Sequence, residues 1–247
     1  MPYVNFSTNA SVPYGSDLRN TVYLISHCWF LMFNVINVSY LAIFEGFIYG
    51  RLKHNFIMKL TFAACLLQIP SCCTSIHRYN INEEHGIYGI LGTFFGLLAF
   101  TPFNIAYVYM FFHKNSKNFI KAGSIIWIIL AIACMLVTLK VWETDNFAYF
   151  QVYIAASTAW HIVANIRLLL AHKRGDVKID PSIGTADEVN KTLLVAIILE
   201  LAAGLGAATK TVALQYPGTG LTFSMLVAVS RYAGNMDFMK SDYTSIP

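Results

Sequence analysis

Apolar residues fall into seven runs along the chain, 21–49, 56–77, 87–112, 119–142, 147–171, 192–215 and 219–239, and the longest polar connection between them is 172–191. A membrane-spanning helix takes about 20 apolar residues. The pattern therefore predicts an all-α, polytopic membrane helical bundle of seven transmembrane helices, forming one transmembrane domain over residues 1–247. The second run is the weakest because it contains Lys59, Gln68 and Pro70; if 56–77 does not span, the count is six.

Composition agrees with a bilayer. Only 12% of residues are charged and 56% are hydrophobic, with a mean hydropathy of +0.54, whereas a soluble domain carries about 25% charged residues. So little polar surface excludes a soluble enzyme, a basic nucleic-acid binder, a disordered chain and a disulfide scaffold. Cys28, Cys65, Cys72, Cys73 and Cys134 lie in apolar stretches without metal-ligand spacing and are read as packing residues. Cys72 and Cys73 meet a polar flank, where an oxidising compartment would let one pair with another thiol. Residues 1–20 lack the pattern of a cleavable signal peptide, so the first helix itself is expected to target the chain.

The net charge of +4 is distributed asymmetrically. Arg51, Lys53 and Lys59, then Lys114, Lys117 and Lys121, then Lys173, Arg174, Lys178 and Lys191, and finally Lys240 occupy alternate connections and the C-terminus. The intervening connections hold Arg78 with Glu83 and Glu84, then Glu143 with Asp145. Basic loops face the cytosol, so the reading is a cytosolic C-terminus and an N-terminus outside, where the sequons at Asn5 and Asn9 are candidates for glycosylation.

Charges inside the apolar runs are the functional candidates, because each is costly in hydrocarbon. By distance from the expected helix ends, Glu200 and Arg231 share a depth with His161 and Asn104, with Asp237 below them and Lys210 nearer the opposite face. Two readings follow: a buried Glu200–Arg231 pair that locks the packing, or a polar-lined cavity. In the cavity reading the candidate catalytic residues are His161, Glu200 and Asp237, and the substrate-binding candidates are Arg231, Asn104, His161 and Glu200. Gly86, Gly89, Gly92 and Gly96, and then Ala203, Gly204, Ala207 and Ala208, read as packing seams. Pro102 with Asn104 is a site for a kink. Trp29, Trp127, Trp142 and Trp160, with Tyr49, Tyr88, Tyr149 and Tyr216, read as interfacial anchors or lipid-facing residues.

No paired-His helix, histidine box, Gly-rich phosphate loop or trusted nucleophile triad is present, so no metal and no cofactor is expected. The last run has no Lys for a retinal Schiff base, and the third ends in Tyr109-Met-Phe-Phe-His113, without an acidic-Arg-Tyr switch. One resemblance reaches individual residues. Phe150-Gln-Val-Tyr-Ile-Ala-Ala-Ser157 followed by His161 resembles the fourth-helix pattern of the FRAG/DRAM-type family, which includes the post-GPI-attachment lipid-remodelling factor and the damage-regulated autophagy modulators. Ile69-Pro-Ser71, residues 136–138 with Glu143 and Asp145, and Asn235-Met-Asp-Phe238 resemble other segments of that family, over 69–240 in all. The family has six crossings and a cytosolic N-terminus, from which the additional run at 56–77 departs. The resemblance implies an integral protein of the endoplasmic reticulum, Golgi or another endomembrane that binds or remodels a membrane lipid or lipid-like molecule, such as the acyl chain of a GPI anchor. Two alternatives stand beside it: a membrane-embedded enzyme of terpene-cyclase type, with Glu200 or Asp237 as the buried acid, and a heptahelical receptor. No nucleic-acid partner is expected.

Overall fold

A computed structural model describes residues 3–4, 11–12, 17–81, 87–112, 116–140, 148–179, 183–209, 211–233 and 236–238. Among the described residues are seven long helices: α1 (Asp17–Tyr40), α2 (Phe56–Asn80), α3 (Ile87–Phe111), α4 (Lys117–Lys140), α5 (Ala148–Lys173), α6 (Ala186–Ala208) and α7 (Val212–Ala233). α1 runs on into a π-helix, Leu41–Ile48, and a 3-10 turn, Arg51–Lys53, leads to α2. Two antiparallel ribbons complete the elements: β1 (Tyr3–Val4) with β2 (Ser11–Val12), and β3 (Val177–Ile179) with β4 (Met236–Phe238).

The all-α bundle is as expected, and six of its helices are long and apolar enough to cross a membrane. α2 is one of them. Lys59 is exposed on its first turns, Gln68 turns inward, and the carbonyl of Pro70 accepts from Thr74 Oγ1 at 2.9 Å, so the helix continues through the proline. α7 has 22 residues and, at ~1.5 Å per residue, is also long enough to cross. Its composition is more polar because Gln215, Thr219, Thr222 and Ser230 are buried against neighbouring helices and never meet lipid.

Helices adjacent in sequence pack on one another, and α1 closes the ring against α7. Of these six, α3 is the most enclosed, with 56% of its apolar stretch buried against 22% in α1 and α4. Small residues permit this enclosure. Gly92 and Gly96 of α3 face Ser71 and Ser75 of α2, and Ser71 Oγ donates to the Gly92 carbonyl at 2.8 Å. The core contains Phe103, Tyr107, Phe223 and Leu226, whereas Ile126, Ile129, Ile132 and Leu136 of α4 point outward, as a lipid-facing wall requires.

The last two helices begin earlier than the apolar runs suggested. Thr185 caps α6: Glu188 N–H donates to Thr185 Oγ1 at 3.3 Å and Thr185 N–H donates to Glu188 Oε2 at 2.7 Å. This reciprocal cap starts the helix well before its first apolar stretch. α6 then ends at Ala208, and the apolar residues read as its continuation belong to α7.

Because α1 starts at one end of the bundle and neighbours alternate, Arg51, Lys53, Lys59, Lys117, Lys121, Lys173, Arg174 and Lys191 gather at one end, the basic end, while Arg19, Arg78 and Lys140 lie at the other.

Candidate functional site

Three polar assemblies occur along the bundle axis. The middle one unites three of the expected residues. Asn104 is fully buried on α3, and its Nδ2 donates to Ser157 Oγ at 3.0 Å and Tyr153 Oη at 3.2 Å. Its Oδ1 is thereby the acceptor for His161 Nε2, 2.7 Å away. That bond fixes Nε2 as a protonated nitrogen and leaves Nδ1 facing Glu200 Oε1 at 3.1 Å. The contact lies off the axis of a ring N–H bond. Tyr107 stacks on the imidazole at 4.3 Å and Phe103 meets it edge-on at 4.6 Å, while Asn165 Nδ2 donates to Tyr107 Oη at 3.1 Å.

The space left at this level, between His161, Glu200 and Thr222, is about 10 Å³. That is roughly the room of one water molecule. Asn104 and His161 are hydrogen-bonded in a packed layer beside Glu200, with no volume for a lipid chain.

Arg231 is elsewhere, and the expected Glu200–Arg231 pair does not form. Arg231 lies in the last turn of α7, whereas Glu200 is deep within α6, so the two are about 18 Å apart along the axis at ~1.5 Å per residue. The second assembly, at the basic end, accounts for Arg231. Its Nε lies 3.2 Å from Glu45 Oε1. Arg51 approaches the same carboxylate with Nε 2.7 Å from Oε2 and Nη2 3.2 Å from Oε1, and Tyr40 Oη donates to Oε1 at 2.9 Å. Glu45 is fully buried on the π-helical turn, and Gly50, at φ 66°, makes the left-handed bend that folds Arg51 back onto it. Asn55 holds the same corner: its Oδ1 caps α2 by accepting from Met58 N–H at 3.0 Å, and its Nδ2 donates to the Ser230 carbonyl of α7 at 2.8 Å.

Asp237 is not in a helix. It lies in β4, beyond the end of α7 and opposite Lys178 in the β3–β4 register, so it does not join the level of Glu200. Lys210, Asn5, Asn9, Glu83, Glu84, Glu143, Asp145 and Trp142 fall outside the described residues. Trp127 and Tyr216 are not anchors. Trp127 is buried, and Tyr216 walls the third assembly.

That third assembly is a cavity of about 110 Å³ at the end opposite the basic residues. α1 contributes Tyr23, His27 and Phe30, α2 contributes Gln68, Ser71 and Arg78, and α7 contributes Gln215, Tyr216 and Thr219. Rings pack around it, with His27 and Tyr216 at 4.1 Å and Tyr23 and Tyr79 at 4.7 Å. Gln68 is buried, and its Oε1 accepts no hydrogen bond among the described residues. Among the described residues of this wall Arg78 is the charged one; it belongs to the last turn of α2, not to a loop, and is only 7% exposed. Engineered apolar cavities of about 150 Å³ hold benzene, so this one suits a group the size of an amino-acid side chain.

Sequence reasoning missed Glu45, Gln68 and Arg78 as site residues. Glu45 carried a signal, as the lone carboxylate of the first run with Arg51 six residues later. Gln68 and Arg78 carried less, because each reads as the polar blemish or polar end of a weak run.

No protein-family model matches the chain, and neither a curated protein nor a solved structure matches it.

Proposed function

We propose that this integral membrane protein is a ligand-binding bundle of receptor type. It takes a small ligand bearing an acidic group into the cavity beside Arg78, and it communicates occupancy to the basic end. The observation that carries this reading is that α1 and α7 both wall the cavity, through Tyr23, His27 and Phe30 and through Gln215, Tyr216 and Thr219, and both reach the distant ion cluster, α1 through Tyr40 and the π-helix that continues it to Glu45, α7 through Arg231. A displacement of one helix against the other alters both places at once. In the cavity Arg78 supplies the positive charge for a carboxylate or phosphate, the Gln68 carbonyl accepts a ligand N–H or O–H, and the aromatic rings enclose the remainder.

The charge bias of the connections supports a cytosolic basic end and C-terminus, with the cavity opening to the other side. Lipid handling in the endoplasmic reticulum or Golgi, including work on GPI-anchor acyl chains, is what the FRAG/DRAM-type resemblance would imply. It requires a chamber for an acyl chain, and the His161–Glu200 level is packed, which favours the receptor reading over both the remodelling factor and the terpene-cyclase type.

Purified protein in detergent would be screened by thermal shift against the twenty amino acids and a set of short aromatic carboxylates and amines. An acidic compound is expected to raise the midpoint, with affinity lost at least tenfold in Arg78→Gln and changed severalfold in Glu45→Gln, at the far end of the bundle, since coupling between sites is typically about 5- to 150-fold. Binding indifferent to both substitutions would overturn the proposal.

A further inference from the structure

On the outer wall of the basic end, α3 and α5 leave a groove of about 500 Å³. Its bed is apolar, formed by Phe111 at the end of α3 with Val163, Ile166 and Leu170 of α5. The three α5 residues are spaced three and four apart and so share one helix face, and each is between 41 and 49% exposed. Water would not favour such a surface; lipid chains would.

The rim is charged. The Arg167 guanidinium lies 4.2 Å from the centroid of the Phe111 ring, so its stem follows the bed of the groove. Arg174 and Asp176 line the mouth, where the chain leaves α5 in a tight reversal. Gly175 N–H donates to the His172 carbonyl at 3.1 Å and Asp176 N–H donates to the Ala171 carbonyl at 3.0 Å, the paired bonds that fix a helix C-terminus. Among the described residues that line it, the groove holds two guanidinium groups and one carboxylate. Arg167 and Arg174 are two helical turns apart, about 10 Å along the axis, so one reaches the edge of the hydrocarbon and the other the head-group level.

We propose that this groove holds one anionic phospholipid of the leaflet at the basic end. Its acyl chain lies over Val163, Ile166 and Leu170, and its phosphate sits between Arg167 and Arg174. An apolar trough that ends in cations at head-group depth complements such a lipid in shape and in charge. A zwitterionic lipid would bring its own cation to the same arginines.

Native mass spectrometry decides the matter, on protein reconstituted with equal amounts of phosphatidylinositol and phosphatidylcholine. One phosphatidylinositol is expected to stay bound in preference. Arg167→Gln and Arg174→Gln should each lower that preference about fivefold, the equivalent of about 1 kcal/mol per basic side chain near an anionic surface. Arg167→Lys and Arg174→Lys should largely restore it, which separates a charge effect from misfolding. Soluble inositol phosphate at equal concentration should not displace the lipid, because it lacks the chain. Equal retention of both lipids, retention unchanged in the double Gln variant, displacement by the soluble head group, or a dimer that forms as the lipid leaves would each overturn the proposal.

Discussion

Removing the Glu45 carboxylate should destabilise the basic end by bringing Arg51 and Arg231 together without the anion they share. Glu45 is fully buried, while Arg51 and Arg231 are 23% and 28% exposed. Losing one partner of a fully buried pair costs about 3–5 kcal/mol, and an exposed pair is worth only about 0–1 kcal/mol. Glu45→Gln lies between these limits, at about 2–3 kcal/mol, because Gln keeps the size and a hydrogen-bond acceptor for Tyr40 but not the charge. For a chain of this length that corresponds to a fall of roughly 4–12 °C in the unfolding midpoint. A thiol-reactive fluorophore gives the assay, since Cys65 and Cys72 are fully buried and react only as the bundle opens. The double-mutant cycle is the sharper measurement. Glu45→Gln with Arg231→Gln should show about 1–3 kcal/mol of coupling, whereas Glu200→Gln with Arg231→Gln should be additive within about 0.5 kcal/mol. Additivity in the first cycle, or coupling in the second, would refute the partner assignment at both ends of the bundle.

Two further outcomes are expected. Gly206→Ala should destabilise the protein by about 1–3 kcal/mol, because a Cβ there would stand 2.5 Å from the Gln215 nitrogen and 2.8 Å from its Cα; helix propensity alone would give a gain of about 1 kcal/mol, so the sign of the change in thermal midpoint tells the two effects apart. In a glycosylating host Asn5 and Asn9 should carry glycans and a sequon introduced beside Lys53 should not; the reverse, read by gel shift with endoglycosidase, would invert the bundle in the membrane.

The bundle was legible in the sequence because hydrocarbon demands apolar length, and seven helices follow the seven apolar runs in order. Their ends were less legible, because ends are set by polar atoms. The first turns of α6 are Ala-Asp-Glu-Val-Asn-Lys, which a search for apolar residues passes over, although the Thr185/Glu188 cap marks the start. The break between Ala208, where α6 ends, and Val212, where α7 starts, interrupts an otherwise apolar stretch. Slipping both helices by about two turns moved Arg231 from its helix end to mid-depth and placed it beside Glu200 in the sequence reading. Site partners were less legible still. Hydropathy shows that Glu45, His161, Glu200 and Arg231 each need company in a bilayer, but which groups meet depends on how each helix is rotated about its axis. His161 finds Glu200 and Asn104, and Glu45 finds a cation 186 residues away.

The three assemblies constrain how a signal could pass along the bundle. Phe100, Ile154 and Thr219 line both the cavity and the small space at the His161–Glu200 level, so that layer is the floor of the cavity. It is filled by interlocked rings, with Phe103 and Phe223 stacked at 4.1 Å, and a packed layer has discrete arrangements, not continuous ones. Local rearrangement there would break the Asn104 and His161 hydrogen bonds before anything reached the basic end. A rigid displacement of helices avoids that cost. Gly206 lies against the backbone at Gln215, and a Cβ added at Gly218 would stand 3.2 Å from the Ala203 Cα, so α6 and α7 are in near-backbone contact and are expected to shift together. Such a pair would slide against α1 and α2, where the basic end is held by the Glu45–Arg231 contact and the Asn55–Ser230 hydrogen bond. These two contacts are therefore the ones that a ligand in the cavity must strain, and breaking either should loosen the basic end without emptying the cavity.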